Sequence, residues 1–390
     1  MAEQADVVIV GGGVTGLALA FEVSRLVPKR VVVVEKRYTG SGASGRNVGR
    51  LRAMQLTPEL AHLAIAAQRK HERLVDELGF NTLFWRAGYA WVLYESSEVE
   101  RMTDLLPMLQ TLDMPEPRIL DEEETLRLLP ILRGGEKPAG ALLGRDALVH
   151  HDAVVYAYRR RCQAAGVQIL EGCTVTGVRV ENGWVSGVDL EEKWIHAPVV
   201  VNASDGWSRE ISAMAGVEVP NTPFRREVLV TEPAQPFMGP AVTFYRPVEG
   251  WFNQTLRGEL VAGVTSPSEP EGIRQESSAA FLDRTAHALV QKAPRLGHLR
   301  VIRQWAGVYD MTPDRKPLVG PVHHPKGFIQ ANGYSGRGFL LAPLVAELLA
   351  DWIVTGRRPE LLALCEPNRF EGRAKEPIQI GDYYEGYTRQ

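Results

Sequence analysis

Three glycines near the start of the chain, Gly11, Gly13 and Gly16, stand in GxGxxG spacing, and an acid, Glu35, follows. These residue types in this order suit one task. Gly11 permits a tight turn, Gly13 lets a pyrophosphate approach bare backbone, and Gly16 lets a helix pack closely on a strand. The helix N-terminus offers free N–H groups to phosphate, and a carboxylate at the distance of Glu35 accepts hydrogen bonds from an adenosine ribose. The chemistry is adenine-dinucleotide binding; the fingerprint itself fits NAD and FAD alike. A second run of small residues, NGYSGRG at 332–338, feeds another apolar helix far along the chain. A helix N-terminus there would stabilise negative charge on a reduced ring lying at a distance from the phosphates. That favours a flavin, although strand-to-helix turns of this kind are also plain connections.

The elements that must position these residues are legible around them. Val7–Val10 and Val31–Val34 read as strands buried on both faces, with a helix between them that ends at Pro28. A long Gly/Ser/Arg loop, 36–52, follows. Thr57 and Pro58 open a helix that Gly79 closes. Residues 82–95 read as paired strands, and 97–130 as helical with a break at DMPEP. Strand and turn alternate from Val167 to Val201, with Asn182-Gly183 as a hairpin turn. Residues 224–265 read as strands and 276–292 as a helix.

Composition sets bounds on function. Acids outnumber bases by 47 to 44 over 390 residues, which gives no basic excess for nucleic acid. Three cysteines, Cys162, Cys173 and Cys365, form no CxxC pair and read as reduced cytoplasmic thiols. No signal peptide is expected at the N-terminus. The stretch FLLAPLVAELLADWIV is broken by Glu347 and Asp351 and falls short of the ~20 apolar residues of a membrane span. No histidine spacing suits a metal, and GYSGRG only approaches a serine-hydrolase elbow.

Together, VVIVGGGVTG, SGASGRN, VVVNASDGWS, AGVYDMTPDRKPLVG and GYSGRGFLLAP resemble the D-amino-acid-oxidase-like superfamily of FAD oxidoreductases over nearly the whole chain. Within it the chain is similar to the β subunits of heterotetrameric sarcosine oxidase and of dye-linked L-proline dehydrogenase. The resemblance implies an α/β fold, with a Rossmann-like FAD-binding domain (1–80, 146–217 and 303–365) interleaved with an antiparallel β-sheet substrate domain (81–145 and 218–302). A C-terminal tail, 366–390, follows. It also implies non-covalent FAD and oxidation of the C–N bond of a secondary amine or amino acid, by hydride transfer to flavin N5. Sarcosine, proline, hydroxyproline and opine-like compounds are the candidate substrates, and partner subunits are expected.

The resemblance carries cofactor contacts onto Gly11, Gly12, Gly13, Val14, Thr15 and Gly16, onto Glu35, Lys36 and Arg37, and onto Ser41, Ser44, Arg46 and Asn47. Val175 matches a contact to adenine. Ala203, Gly333, Gly336, Arg337, Gly338 and Phe339 complete the set. His151 is the candidate to carry an FMN at a subunit junction; the competing reading is a histidine that merely ends a loop. Arg50 and Arg52 lie in the loop expected near the flavin, with Arg52 a candidate flavin-side or carboxylate contact; Arg226 is a candidate carboxylate clamp, and Tyr245 and Trp251 are candidate pocket walls. The competing reading for the arginines is solvated surface charge, and for the aromatics core packing.

Three departures from monomeric sarcosine oxidases matter. AGVYDMTPD holds no cysteine for covalent flavin. Leu340 stands where those enzymes have a carboxylate-binding lysine. RGELVAGVTSP lacks the lysine that activates oxygen, which favours a dehydrogenase. The lost lysine at Leu340 also leaves open a non-catalytic flavin-binding or electron-relay subunit. A buried apolar pocket would itself lower the pKa of a substrate amine, so no general base is required.

Overall fold

Buried β-branched runs order the first layer. A six-stranded sheet runs Leu318–Pro321, Phe328–Asn332, Val199–Asn202, Val7–Val10, Val31–Glu35, Gln168–Glu171, parallel except for the antiparallel edge strand Leu318–Pro321. The computed structural model describes residues 3–112, 117–144, 146–372 and 378. The alternation of side chains explains why the central strands are apolar throughout. Val7 and Ile9 face the helices, whereas Val8 and Val10 face a second, four-stranded sheet that contributes Val178, Val188 and Ile195. Each face has its own core, so neither parity of residue is left to solvent.

Helices Val14–Leu26, Pro58–Leu78, His151–Ala164 and Gly338–Thr355 cover the first face. Gly338–Thr355 is long and apolar enough to cross a membrane, but it is a core helix packed on Val14–Leu26 and Pro58–Leu78. Between these three helices lies the fully buried ammonium of Lys70, ion-paired with Glu22 (3.3 Å), Glu77 and Glu347. Those carboxylates cluster closely enough to hold a metal ion, and here the cation is the lysine. Pro343 lies inside Gly338–Thr355 and cannot donate to the carbonyl four residues back, Phe339. His71 Nε2 lies 3.1 Å from that oxygen and 3.1 Å from Leu340 O, and fills the gap.

The second layer is an eight-stranded sheet: Val301–Met311, Thr222–Pro233, Glu259–Val264, Gly250–Gln254, Ala241–Phe244, Tyr89–Leu93, Gly140–Gly144, Arg118–Leu120. It is antiparallel apart from the pairing of Ala241–Phe244 with Tyr89–Leu93. The long ladder from Thr222↔Met311 to Thr231↔Val301 carries this sheet to the rim of the first.

Two expectations need correction in detail. Residues 82–95 do not pair with one another: Leu83 and Gly88 have left-handed backbone, and the one strand there, Tyr89–Leu93, pairs with distant segments. Residues 97–130 hold two helices, Ser96–Thr111 and Glu122–Leu128, with the edge strand Arg118–Leu120 between them. Three residues are too few to show a period. The DMPEP break lies outside the described residues except for Pro117, as do 373–377 and 379–390 of the expected tail.

Candidate active site

Both glycine turns open into one continuous cleft, between the C-terminal ends of the parallel strands and the face of the larger sheet. Its volume is about 390 Å³. The strands ending at Val10 and Asn332 are separated only by Val199–Asn202, so the two turns are brought side by side by sheet order. Ligands in open α/β sheets bind in such crevices at the carboxyl ends of strands.

At the first turn, Gly11 has φ +114°, and a Cβ there would lie 2.4 Å from Ala203 O. At Gly13 a Cβ would meet only the Ser44 hydroxyl, at 3.0 Å, so the turn presents bare backbone to the cleft. Val14 N–H, at the start of its helix, donates to Ser44 Oγ (2.9 Å), and the Gly13 cap supplies no side chain. Glu35 accepts from Gly12 N (2.8 Å), Arg37 N (2.9 Å) and Ser41 Oγ (3.1 Å). Its carboxylate is thereby fixed at the end of the second strand. Lys36 lies 3.7 Å above the Trp207 ring, and burial holds its pKa below the usual lysine value. Val175 lines this end too. A cradle without side chains, a positive helix end and a fixed carboxylate suit the pyrophosphate and ribose of an adenine dinucleotide.

The connecting loop is held internally. Arg46 turns onto the carbonyls of Ser41 and Gly42, and its own carbonyl accepts from Trp305 Nε1 (3.0 Å). Asn47 Oδ1 accepts from Gly49 N (2.7 Å).

At the second turn, Gly336 has φ +82°, and a Cβ would lie 2.5 Å from the Tyr309 ring. The turn therefore needs glycine in order to seat that aromatic. Arg337 donates to Gln55 Oε1 (2.8 Å) and to the carbonyls of Arg315 and Ser335 (both 3.3 Å). Gly338, Phe339 and Leu340 open the helix at the cleft wall.

The far end combines arginines and aromatics. Arg50 lies between the rings of Tyr89 (4.6 Å) and Trp251 (4.7 Å) and donates to Thr243 Oγ1 (2.8 Å), Val242 O (3.3 Å) and the Tyr89 hydroxyl. Arg226 lines the cleft with its guanidinium 5.1 Å over Tyr309. Its neighbour Arg225 is bound by Glu269 in a two-point pair (2.9 and 3.1 Å). Arg52 also lines the cleft, 5.6 Å over Trp91 and 3.5 Å from the Tyr245 hydroxyl.

Gly12, Gly16, Gly333 and Tyr245 stand behind the wall rather than in it, where they support residues that line it. His151 is also outside the wall, its ring stacked on His150 at 5.4 Å.

The carboxyls Asp146, Asp205 and Asp310 are among those that the sequence did not single out. Asp146, fully buried, accepts from Met54 N (3.5 Å) and Gln68 Nε2 (3.3 Å) beside Arg52, and so holds the loop that carries Arg52. Burial pushes its pKa up to about 6. Asp205 and Asp310 line the cleft between the two turns. Both lie inside motifs that were visible, NASDGWS and AGVYDMTPD, but nothing local marks them as neighbours.

The sequence profile of the family described as "FAD dependent oxidoreductase" matches residues 6–352. The chain belongs to that family. Among curated relatives, the sarcosine oxidase subunit beta of Rhodobacter capsulatus is 31% identical over 359 residues, covering 91% of this chain and 86% of the relative. Among solved structures, L-proline dehydrogenase from P. horikoshii superposes with a TM-score of 0.88 at 27% identity, over 95% of this chain and 99% of that one. Glycine oxidase from Geobacillus kaustophilus shares the fold, with a TM-score of 0.87 at 24% identity over 95% and 100% of the two chains.

Proposed function

We propose that the protein oxidises the C–N bond of a secondary amine or amino acid, with sarcosine, proline, hydroxyproline and opine-like compounds as the substrate class. The observation that carries this reading is the single cleft, with a phosphate cradle at one end and arginines among aromatic rings at the other. The names of the relatives, sarcosine oxidase subunit beta and L-proline dehydrogenase, point the same way. Gly11 to Gly16 and Glu35 would hold the dinucleotide end of FAD, and Gly336 to Phe339 would lie against its ring. Bound there, FAD supplies the acceptor for a hydride from the substrate carbon.

The chain's own residues do the rest. Arg226, over Tyr309, receives the substrate carboxylate, and Arg50 keeps a fixed positive charge between Tyr89 and Trp251. Burial and the like charges of Arg50 and Arg226 disfavour a charged ammonium and so promote its loss of a proton to solvent. Orientation of the C–H bond then supplies much of the rate.

Among the described residues lining the cleft the one lysine is Lys36, which stands beside Trp207 at the adenosine end. No lysine among the described residues lines the ring end of the cleft, and we favour a dehydrogenase working with partner subunits in the cytoplasm. The FMN expected near His151 gains no support, since that ring is stacked on His150 and held mostly out of solvent. The division into a discontinuous FAD-binding domain and a substrate domain remains part of the proposal, with the cleft as their seam.

The test is anaerobic addition of each candidate substrate to the purified FAD-loaded protein. Loss of flavin absorbance with at least one secondary amino acid is expected, and a spectrum unchanged across the whole panel would contradict the reading.

A further inference from the structure

Arg50 is a cation that no acid pairs with among the described residues. Its Nη2 donates to Thr243 Oγ1 (2.8 Å), Val242 O (3.3 Å) and the Tyr89 hydroxyl, and its guanidinium is gripped between the rings of Tyr89 (4.6 Å) and Trp251 (4.7 Å). Its remaining donors are idle. Nε is buried and has no hydrogen-bond partner, and Nη1 makes no hydrogen bond among the described residues. Rings, hydroxyls and a carbonyl fix this half-buried charge in place, and none of them neutralises it.

Other arginines of the cleft are treated differently. Arg225 is bound by Glu269, Arg337 donates to Gln55, and Arg52 stands beside the buried carboxyl of Asp146. Glu249, two residues before Trp251, also lines the cleft, but its carboxylate accepts from Thr265 Oγ1 instead. A fixed charge withdrawn from water without a counter-ion is costly. A ligand that brings an anion to Arg50 would relieve a cost that the fold leaves standing.

Arg50 and Arg226 both line the cleft, and Trp251 connects them. At Gly263 an added Cβ would lie 2.9 Å from Trp251 Cζ2 and 2.9 Å from the backbone oxygen of Glu227, the residue after Arg226. The indole that holds Arg50 thus packs onto the sheet where the strand of Arg226 passes. Arg226 in turn lies 5.1 Å over Tyr309, whose ring is seated on Gly336 of the second glycine turn. The two guanidiniums therefore stand on either side of one tryptophan, along one wall.

We propose that the substrate carries two carboxylates, one met by Arg226 and the other by Arg50, which narrows its class to N-(carboxyalkyl) amino acids, the opine-like members. This rests on the reading of the cleft as a site of amine oxidation and specifies its substrate. A monocarboxylate such as sarcosine or proline offers a counter-charge to one guanidinium only. A dicarboxylate balances both. Its nitrogen, set between the carboxylates, is then the surplus positive charge, which favours loss of its proton. The step balances as follows: a hydride leaves a carbon that bears both nitrogen and carboxylate, for FAD, and a proton leaves nitrogen for solvent. Water then adds to the C=N bond and releases an α-amino acid and a 2-oxo acid.

Two matched pairs of compounds test this on the FAD-loaded protein. Iminodiacetate is sarcosine with one carboxylate added, and glutarate and butyrate are their unreactive carbon counterparts. Glutarate should bind at least about tenfold more tightly than butyrate, read by the change in flavin absorbance, the worth of one added charge-assisted hydrogen bond. Iminodiacetate should exceed sarcosine in kcat/KM by a similar factor. In Arg50→Gln that ratio should fall by about ten- to a hundredfold, and Arg50→Lys should restore part of it. The ligand pair needs no variant, so the test survives a misfolded Arg50→Gln. Bleaching by sarcosine or proline with glutarate no tighter than butyrate would overturn the inference and leave amine oxidation standing. Equal losses for iminodiacetate and sarcosine in Arg50→Gln would also overturn it, since the charge would then serve every substrate alike. Tight glutarate binding with no bleaching by any amine would support the two-carboxylate site and remove the oxidation reading instead.

Discussion

Gly11 and Arg226 define the two ends of the cleft residue by residue, and each can be probed alone. A Cβ at Gly11 would have to displace the Ala203 carbonyl, which lies 2.4 Å from its position and belongs to a central strand's end. Gly11→Ala is expected to bind FAD about five- to a hundredfold more weakly, the range set by ~1–3 kcal/mol of overpacking. Equilibrium titration of the apoprotein measures this, and unchanged affinity would show that the first turn does not touch the dinucleotide. At the other end, Arg226→Ala should raise KM for a carboxylate-bearing substrate by about ten- to a hundredfold, the worth of a charged hydrogen bond. Arg226→Lys should recover only part of that loss, because an ammonium cannot clamp a carboxylate with two parallel bonds. The glycines and Glu35 were legible from spacing alone. The seat of Arg50 was not, because Tyr89, Thr243 and Trp251 reach it from three strands whose meeting no local pattern encodes. Asp205 and Asp310 were hidden for the same reason.

Elements position these residues, and the helix Gly338–Thr355 shows how. Its first turn lines the cleft, and its internal Pro343 strips the Phe339 carbonyl of a helical partner. His71, from Pro58–Leu78, replaces that partner. The ring is fully buried and acts as a neutral donor through Nε2, with burial lowering its pKa to about 4. Because the folded value lies below the unfolded 6.5, the unfolded chain binds more protons between them. The contribution of His71 is therefore complete above pH 6.5 and is lost as pH falls toward 4. His71→Ala should destabilise the protein by about 1–3 kcal/mol at neutral pH and weaken this acid dependence. Thermal melts of the two apoproteins from pH 4 to 8 check both points; identical pH curves would exclude the histidine as the donor. Helix boundaries such as Pro58–Leu78, with Gly79 left-handed beyond it, were readable from caps. The strand Arg118–Leu120 and the irregular path through 82–88 were not, since tertiary pairing alone decides them.

At the scale of the whole molecule, apolar runs told most of the architecture. Val7–Val10, Val31–Glu35 and Val199–Asn202 suited strands covered on both faces, and that is what they form. The order of strands in the eight-stranded sheet could not be read, because its ladders join segments far apart in sequence. What the assembled layers achieve is a meeting of two helix N-termini, Val14 and Gly338, at one cleft. The central claim is that one FAD spans both. The most direct measurement is a crystal structure of the protein with FAD. The account predicts the pyrophosphate on the backbone of Gly11–Val14 and the isoalloxazine ring against Gly336–Phe339, with Arg50 and Arg226 beyond it. A dinucleotide bound at the first turn with its ring directed away from the second would contradict it.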